Sequence, residues 1–171
     1  MERQVFLVRV NPKKWFGSKK YYNWDNLEVD TEVSFDGDCE NYKHIQDIKL
    51  HDIFVGYNMN NPNKSSERNK SIVCIGRVIS NGCFKSVGSN GKNSKRFLVH
   101  KVLELKNSLP LKWMRKHFKT LGVYQHTVLK LSKKDWNNIK KEVIDYEPEY
   151  EKLIKKLEKS WTHLGLLTYR D

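Results

Sequence analysis

The chain has 171 residues, of which 38% are hydrophobic and 12% aromatic, and its formal net charge is +12 at pH 7. This length and apolar content fit one globular domain and exclude a chain that is disordered throughout. No apolar run approaches the roughly 18 residues that a membrane span needs. Three cysteines without CxxC spacing exclude a disulfide framework. We therefore expect a cytoplasmic protein that does not contact a membrane.

The positive charge is concentrated in the middle third of the chain. Residues 61–120 carry 14 basic and 2 acidic side chains, whereas residues 1–60 carry 8 and 10, and residues 121–171 carry 10 and 8. Crowded like charges repel each other unless an anionic partner neutralises them, which favours nucleic acid as the partner. A membrane surface and a simply solvated face are the alternatives, but this third contains no basic amphipathic helix of the membrane type.

The predicted strands are apolar or alternating segments that end at turn residues. Asp36-Gly37 is a turn signal after one of them, and residues 81–95, rich in Gly, Ser, Asn and Lys, are predicted to be a flexible basic loop. The segments predicted as strands are residues 5–10, 32–35, 53–57, 72–79, 97–105 and 123–131.

Helices are predicted in the second half of the chain. Ser108-Leu109-Pro110 opens a short helix that reaches about Phe118, and Ser132 caps a second helix. Pro148 starts a final amphipathic helix. The expected fold is therefore α+β: a β domain of about five or six strands with short helices over residues 1–145, followed by residues 146–171, whose helix packs on the domain or leads to a further domain.

Signatures of catalysis fail when they are tested against the sequence. The stretch from Gly88 to Ser94 superficially resembles a phosphate-binding loop, but Ser86 stands where that motif needs glycine and Asn93 where it needs Ser or Thr. The histidines lack metal-ligand spacing, and no GxSxG or HExxH motif occurs. We expect no enzymatic activity, no metal and no cofactor.

Aromatic residues near predicted strand ends are the second signal. Trp24, Phe35, Tyr57 and Phe84 lie at such ends or in loops. A ring that stacks on a nucleobase contributes about 1–3 kcal/mol, and an aromatic pocket with a basic rim suits an extruded base. The alternative is that Trp24 and Tyr57 only pack against the ends of a barrel. The candidate phosphate contacts are Lys19, Lys20, Arg77, Lys92, Lys95 and Arg96.

The order and spacing of several motifs resemble the EVE domain family, which shares the PUA-like fold with the YTH domains. The likeness spans about residues 4–143, and Phe35-Asp36-Gly37 with Asn41-Tyr42 resembles the family's W-(D/E)-G-x-x-N-Y segment. The other resembling segments are residues 6–12, 22–27, 50–57, 72–78, 109–111, 125–128 and 131–136.

The resemblance implies a small twisted β-barrel whose mouth takes a flipped, modified base into an aromatic cage. Phe35 stands where the family has a cage tryptophan, and the Arg common before Asn41-Tyr42 is missing. YTH domains bind N6-methyladenine, and EVE and YTH-like modules at the N-terminus of McrB-type restriction proteins recognise modified DNA bases. The implied base-binding residues are Phe35, Trp24, Tyr57 and Phe84 as cage walls, and Asp36, Asn41 and Gln125 as hydrogen-bond partners.

The sequence thus predicts a reader of modified bases that binds double-stranded DNA by base flipping. The base would be 5-methylcytosine or N6-methyladenine, and the domain would target a modification-dependent restriction system with motor and nuclease subunits as partners. Two alternatives stay open: a methylated-RNA reader of the same fold, and a nucleoside-processing enzyme that uses Asp36, Asp38 or Glu40. A protein-interaction module accounts poorly for the charge of the middle third.

Overall fold

The sheet is built from seven strands. The structure is a computed structural model that describes residues 3–10, 24–26, 29, 32–37, 45–59, 68–87, 93–118 and 128–159. The strands are β1 (Val5–Val10), β2 (Glu32–Gly37), β3 (Ile53–Asn58), β4 (Ser71–Val78), β5 (Phe84–Val87), β6 (Asn93–Pro110) and β7 (Val128–Leu131). The helices are α1 (Leu111–His117), α2 (Lys133–Tyr146) and α3 (Glu151–Glu158), with short 3-10 helices at Trp24–Asn26, Ile45–Asp47 and Pro148–Tyr150.

The strands form one mixed sheet in the order β2-β6-β4-β3-β1-β7, and β5 pairs with β6. Strands β1 and β3 are parallel, and the other pairs are antiparallel. The α+β class is confirmed. The prediction of a five- or six-stranded barrel was wrong in detail, because the described residues form seven strands whose end strands, β2 and β7, do not pair with each other.

Both faces of the central strands are buried, so β1, β3 and β4 are almost continuously apolar. On one face, Val5 and Leu7 of β1 pack in a cluster that includes side chains from all three helices. Ile154 and Leu157 of α3 belong to this cluster, so the described part of the C-terminal segment packs on the sheet. None of the helices in the described part of the chain is long and apolar enough to cross a membrane.

The opposite face is filled around Trp24, whose side chain is 0% exposed. Its ring stacks on Phe54 at a centroid distance of 4.9 Å, and its indole N–H donates to the Val8 carbonyl over 3.1 Å. Gly56 lets this ring approach the strand closely, since a Cβ there would clash with both Trp24 and Cys74. Burial raises the pKa of the Cys74 thiol, which therefore packs as an apolar side chain.

A buried polar network holds the Trp24–Asn26 turn against the sheet. Lys101 is 1% exposed, and its ammonium donates to the Trp24 carbonyl over 3.0 Å and to Glu104 over 2.9 Å. Asn58 accepts from the Trp24 backbone N–H and donates to Asp25. Lysine is rarely buried, and Lys101 is tolerated here because its ammonium is satisfied inside the fold.

Local sequence signals were accurate at some boundaries and misleading at others. Ser132 caps α2 in a capping box with Asp135, as predicted. The basic loop predicted at residues 81–95 instead contains β5 and the start of β6, and Asp36-Gly37 continues β2. Strand β6 runs to Pro110, so α1 begins only at Leu111. Of the strand predicted at residues 123–131, only 128–131 lie within the described residues.

Candidate nucleic-acid interface

Three neighbouring strands bring several predicted site residues to one place. Arg96 of β6 lies directly opposite Asp36 of β2 on one side and Phe84 of β5 on the other. Strands in a sheet are about 4.8 Å apart, so the backbones of Asp36 and Phe84 are about 10 Å apart. We call β5, residues 93–97 of β6 and β2 together the β5–β6 corner. Base-stacking and phosphate-binding candidates thus converge there.

The register also pairs two basic residues at this corner. Lys95 of β6 lies opposite Lys85 of β5, and its partner on β2 is Gly37. Like charges directly opposite each other across two strands destabilise a sheet. An anion bound at the corner would offset this repulsion, which is the arrangement expected of a phosphate-binding surface.

An open groove of about 550 Å³ adjoins the corner at Phe84. Phe84 is 42% exposed, which is unusual for a phenylalanine at the start of a strand. Buried Ile48 and half-buried Cys83 give the groove apolar surface, while the exposed residues Gln46 and Asn81 supply amides. We call this space the Phe84 groove. Its described lining residues are Gln46, Ile48, Lys49, Asn81, Gly82, Cys83 and Phe84.

A tight turn fixes the backbone that leads into Phe84. Gly82 adopts φ of +81°, a left-handed conformation that favours glycine. The Ser80 hydroxyl donates to the Gly82 carbonyl over 2.8 Å and accepts from the Leu98 N–H over 3.0 Å. The turn is thereby tied to β6, so the start of β5 is held in place beside the groove.

A buried carboxylate organises the wall of the groove at Lys49. Asp52 accepts the backbone N–H of Lys49 over 2.8 Å and that of Gln4 over 3.0 Å. Burial raises the pKa of the Asp52 carboxyl, and these two hydrogen bonds oppose that shift. Burial lowers the pKa of the neighbouring His51, and the nearby charges of Arg3 and Arg77 lower it further. The wall therefore combines the Asp52 carboxylate with the nearby positive charges of Arg3 and Arg77.

The structure separates the predicted base-binding residues into two groups. Asp36 and Phe84 occupy register positions on either side of Arg96 at the corner, and Phe35 occupies the register position opposite the buried Phe97. Trp24 and Tyr57 lie in the two core clusters on opposite faces, and Tyr57 is only 6% exposed. Neither of these two rings offers a face on which a base could stack. The assignment of Trp24 and Tyr57 to an aromatic cage was therefore wrong, and both rings pack inside the fold.

The predicted phosphate contacts are also divided. Lys95 and Arg96 lie at the corner, while Arg77 is half-buried in β4, with its Nη2 3.4 Å from Nδ1 of His100. The other phosphate candidates, Lys19, Lys20 and Lys92, lie outside the described residues. The base-binding candidates Asn41 and Gln125 also lie outside them.

Sequence reasoning missed several polar residues of the corner and the groove. Lys85 could have been singled out, because it belongs to the basic middle third and lies one residue after Phe84. Gln46, Lys49 and Asn81 carry no local signal, since only the folded chain places them beside Phe84. Within the described ranges, no three His, Cys, Asp or Glu side chains are grouped so that they could hold a metal ion.

A mixed, twisted sheet with helices over one face and a basic corner beside an open groove defines an α+β protein of the PUA-like class. The sequence profile of the family described as the EVE domain matches residues 4–142. The chain belongs to the EVE domain family, as the motif order indicated. No curated protein sequence matches the chain.

Several solved structures share the fold. The human THYN1 protein, in complex with DNA that contains 5-methylcytosine, superposes with a TM-score of 0.59 at 10% identity, covering 92% of this chain and 99% of that one. A hypothetical protein from Leishmania major gives 0.62 at 10%, covering 85% and 98%. Rpa0253 from Rhodopseudomonas palustris gives 0.56 at 15%, covering 95% and 99%. Identities this low establish the fold alone.

Proposed function

We propose that this chain is a reader of modified bases in double-stranded DNA, which it binds without chemical turnover. The observation that carries the proposal is the register at the β5–β6 corner, which joins Phe84, Asp36 and Arg96 beside an open groove. The human THYN1 protein supports it, because a protein of similar fold forms a complex with DNA that contains 5-methylcytosine.

The chemistry of the groove suits a flipped base. The exposed ring of Phe84 stacks on the base, and Ile48 and Cys83 accept its methyl group. Burying one methyl group contributes about 0.8 kcal/mol, which is roughly a fourfold preference. Cytosine and 5-methylcytosine present the same hydrogen-bonding edge, so hydrogen bonds to that edge select the kind of base, and the groove offers the amides of Gln46 and Asn81 for them.

The proposed base-binding set changes accordingly. Trp24 and Tyr57 support the sheet from within its two cores and do not touch the base. Lys49 and Lys85 join the phosphate contacts. The other proposed site residues are Phe35, Asp36, Asn41 and Gln125 for the base, and Lys19, Lys20, Arg77, Lys92, Lys95 and Arg96 for phosphates.

Fluorescence anisotropy at one fixed salt concentration tests the proposal. The four probes are an unmodified duplex, the same duplex with 5-methylcytosine, the duplex with N6-methyladenine, and an RNA with N6-methyladenine. We expect a preference of about fourfold for 5-methylcytosine over the unmodified duplex, since the groove then buries one additional methyl group. Equal binding to all four probes would contradict the proposal, and a preference for the RNA would make the protein an RNA reader.

A pair of aromatic variants assigns the preference to the groove. Phe84→Ala should lower affinity for the methylated duplex to about that for the unmodified duplex, because the stacking ring is lost, and leave salt-dependent binding to unmodified DNA nearly intact. Tyr146→Ala is the matched control, because Tyr146 is 59% exposed at the end of α2. Equal losses in both variants would remove Phe84 from the site.

The biological setting we propose is the targeting of a modification-dependent restriction system in the cytoplasm. The resemblance to the modules of McrB-type restriction proteins supports this part. Tagged protein purified from its source cells should carry a GTP-dependent motor and a nuclease, identified by mass spectrometry. Repeated recovery without any such subunit, while the protein still binds methylated DNA, would contradict the restriction setting and leave the reader function standing.

A further inference from the structure

A second cavity, of about 500 Å³, lies at one end of the sheet. It opens between the starts of β1 and β3, the end of β7 and the helix α2. Its floor is apolar and consists of Val5, Ile53 and Leu131. We call it the α2 cavity. Its other described lining residues are Arg3, Gln4, Lys130, Ser132, Lys133, Trp136, Asn137, Lys140 and Glu158.

The α2 cavity and the Phe84 groove are linked through the buried carboxylate of Asp52. Gln4 lines the cavity, and its backbone N–H and the backbone N–H of Lys49, a groove residue, donate to the two oxygens of the same Asp52 carboxylate. The side-chain amide of Gln4 also donates to the Asp47 carbonyl over 3.1 Å. One lining residue of each space is therefore held by the same carboxylate.

Positive charge exceeds negative charge in the α2 cavity. Its described lining contains four basic side chains and one acidic side chain, Glu158. That carboxylate is already engaged, since one of its oxygens accepts from the Trp136 indole over 2.8 Å and from Lys140 over 2.5 Å. Arg3 donates to the Leu157 carbonyl, which does not neutralise its charge. Lys130 and Lys133 are exposed at the rim.

We infer that the α2 cavity binds backbone phosphates of the same DNA whose modified base occupies the Phe84 groove. This inference rests on the proposed function. A cationic space next to a base-binding groove holds the sugar–phosphate chain in register without reading its sequence. A free nucleotide carries the same phosphate chemistry, so the experiment must separate the two sources.

Charge reversal at the rim tests the inference on the full chain. The variant Lys130→Glu with Lys133→Glu should reduce affinity for modified and unmodified duplexes by the same factor, about tenfold or more at low salt. The slope of log affinity against log salt should become shallower by about 2, because each phosphate contact contributes about 0.9. The preference for the modified base should not change. Lys152→Glu with Lys156→Glu on α3 is the matched control, because these exposed lysines lie outside the cavity.

The outcomes separate the inference from the proposed function. Unchanged duplex affinity and an unchanged salt slope would overturn the inference. Loss of dCMP binding in the Lys130→Glu, Lys133→Glu variant, with duplex binding intact, would also overturn it and assign the cavity to a free nucleotide. If the unaltered protein does not distinguish modified from unmodified DNA but the variant still flattens the salt slope, the reader function fails while the phosphate contact stands.

Discussion

The centre of the sheet and the β5–β6 corner differ in which side chains they bury and which they expose. In the centre, side chains of β1, β3 and β4 are buried on both faces, and the rings of Phe6 and Phe54 are fully enclosed. At the corner, Phe84 is exposed and Lys85 lies opposite Lys95. The centre provides stability through burial, whereas the corner keeps residues that lower stability, as a ligand-binding surface does.

The largest effect is expected from adding one methyl group at position 76, in the packed centre of the sheet. A Cβ at position 76 would overlap the His100 carbonyl oxygen and the ring of Phe54, both inside the packed sheet. Gly76→Ala should therefore lower the free energy of unfolding by about 3 kcal/mol, measured by chemical denaturation.

A control on the same strand distinguishes this clash from general sensitivity of β4. The buried Ser71 hydroxyl has no hydrogen-bond partner among the described residues. Ser71→Ala should therefore be neutral or slightly stabilising. Similar losses in both variants would contradict the steric explanation.

At the corner, a substitution should improve stability and impair binding. Lys85→Glu would place an acidic residue at the register position opposite Lys95. We expect the free energy of unfolding to rise by about 0.5 kcal/mol at low salt and duplex affinity to fall several-fold, with a salt slope shallower by about 1 to 2. Denaturation and anisotropy measure the two effects, with Lys152→Glu of α3 as the control. A loss of stability, or unchanged binding, would show that the corner is ordinary surface.

The smallest expected effect is the contribution of His51, beside the wall of the Phe84 groove, to the pH dependence of stability. The pKa of His51 is lowered in the fold, so the unfolded chain takes up a proton first as pH falls below about 6.5. Stability should therefore decrease on acidification through this range.

His51→Asn removes this titration and tolerates the φ of +71° at this position. The unfolding free energy of the variant, compared with wild type between pH 8 and pH 5.5, should depend less on pH. An identical pH dependence would exclude His51 as its source.

Residue patterns predicted elements whose signals are local. The apolar run of β1 and the Ser132 cap of α2 were located correctly, because each depends on neighbours within a few positions. The α+β class and the EVE family followed from the order of such segments. Residue type and position identified Phe84 and Arg96 as candidates, but the sequence did not predict that they lie opposite each other on neighbouring strands.

The sequence by itself determined the apolar strands, the capped helix and the excess of positive charge, since these are properties of composition and short-range spacing. Only the tertiary structure decided that Trp24 fills a core while Phe84 stays exposed, and that Lys101 is buried. The physical reason is that contacts between distant segments set these outcomes. Trp24 bonds to Val8 and Asn58, Lys101 bonds to Trp24, and Lys49 reaches the Phe84 groove through the fold of the chain.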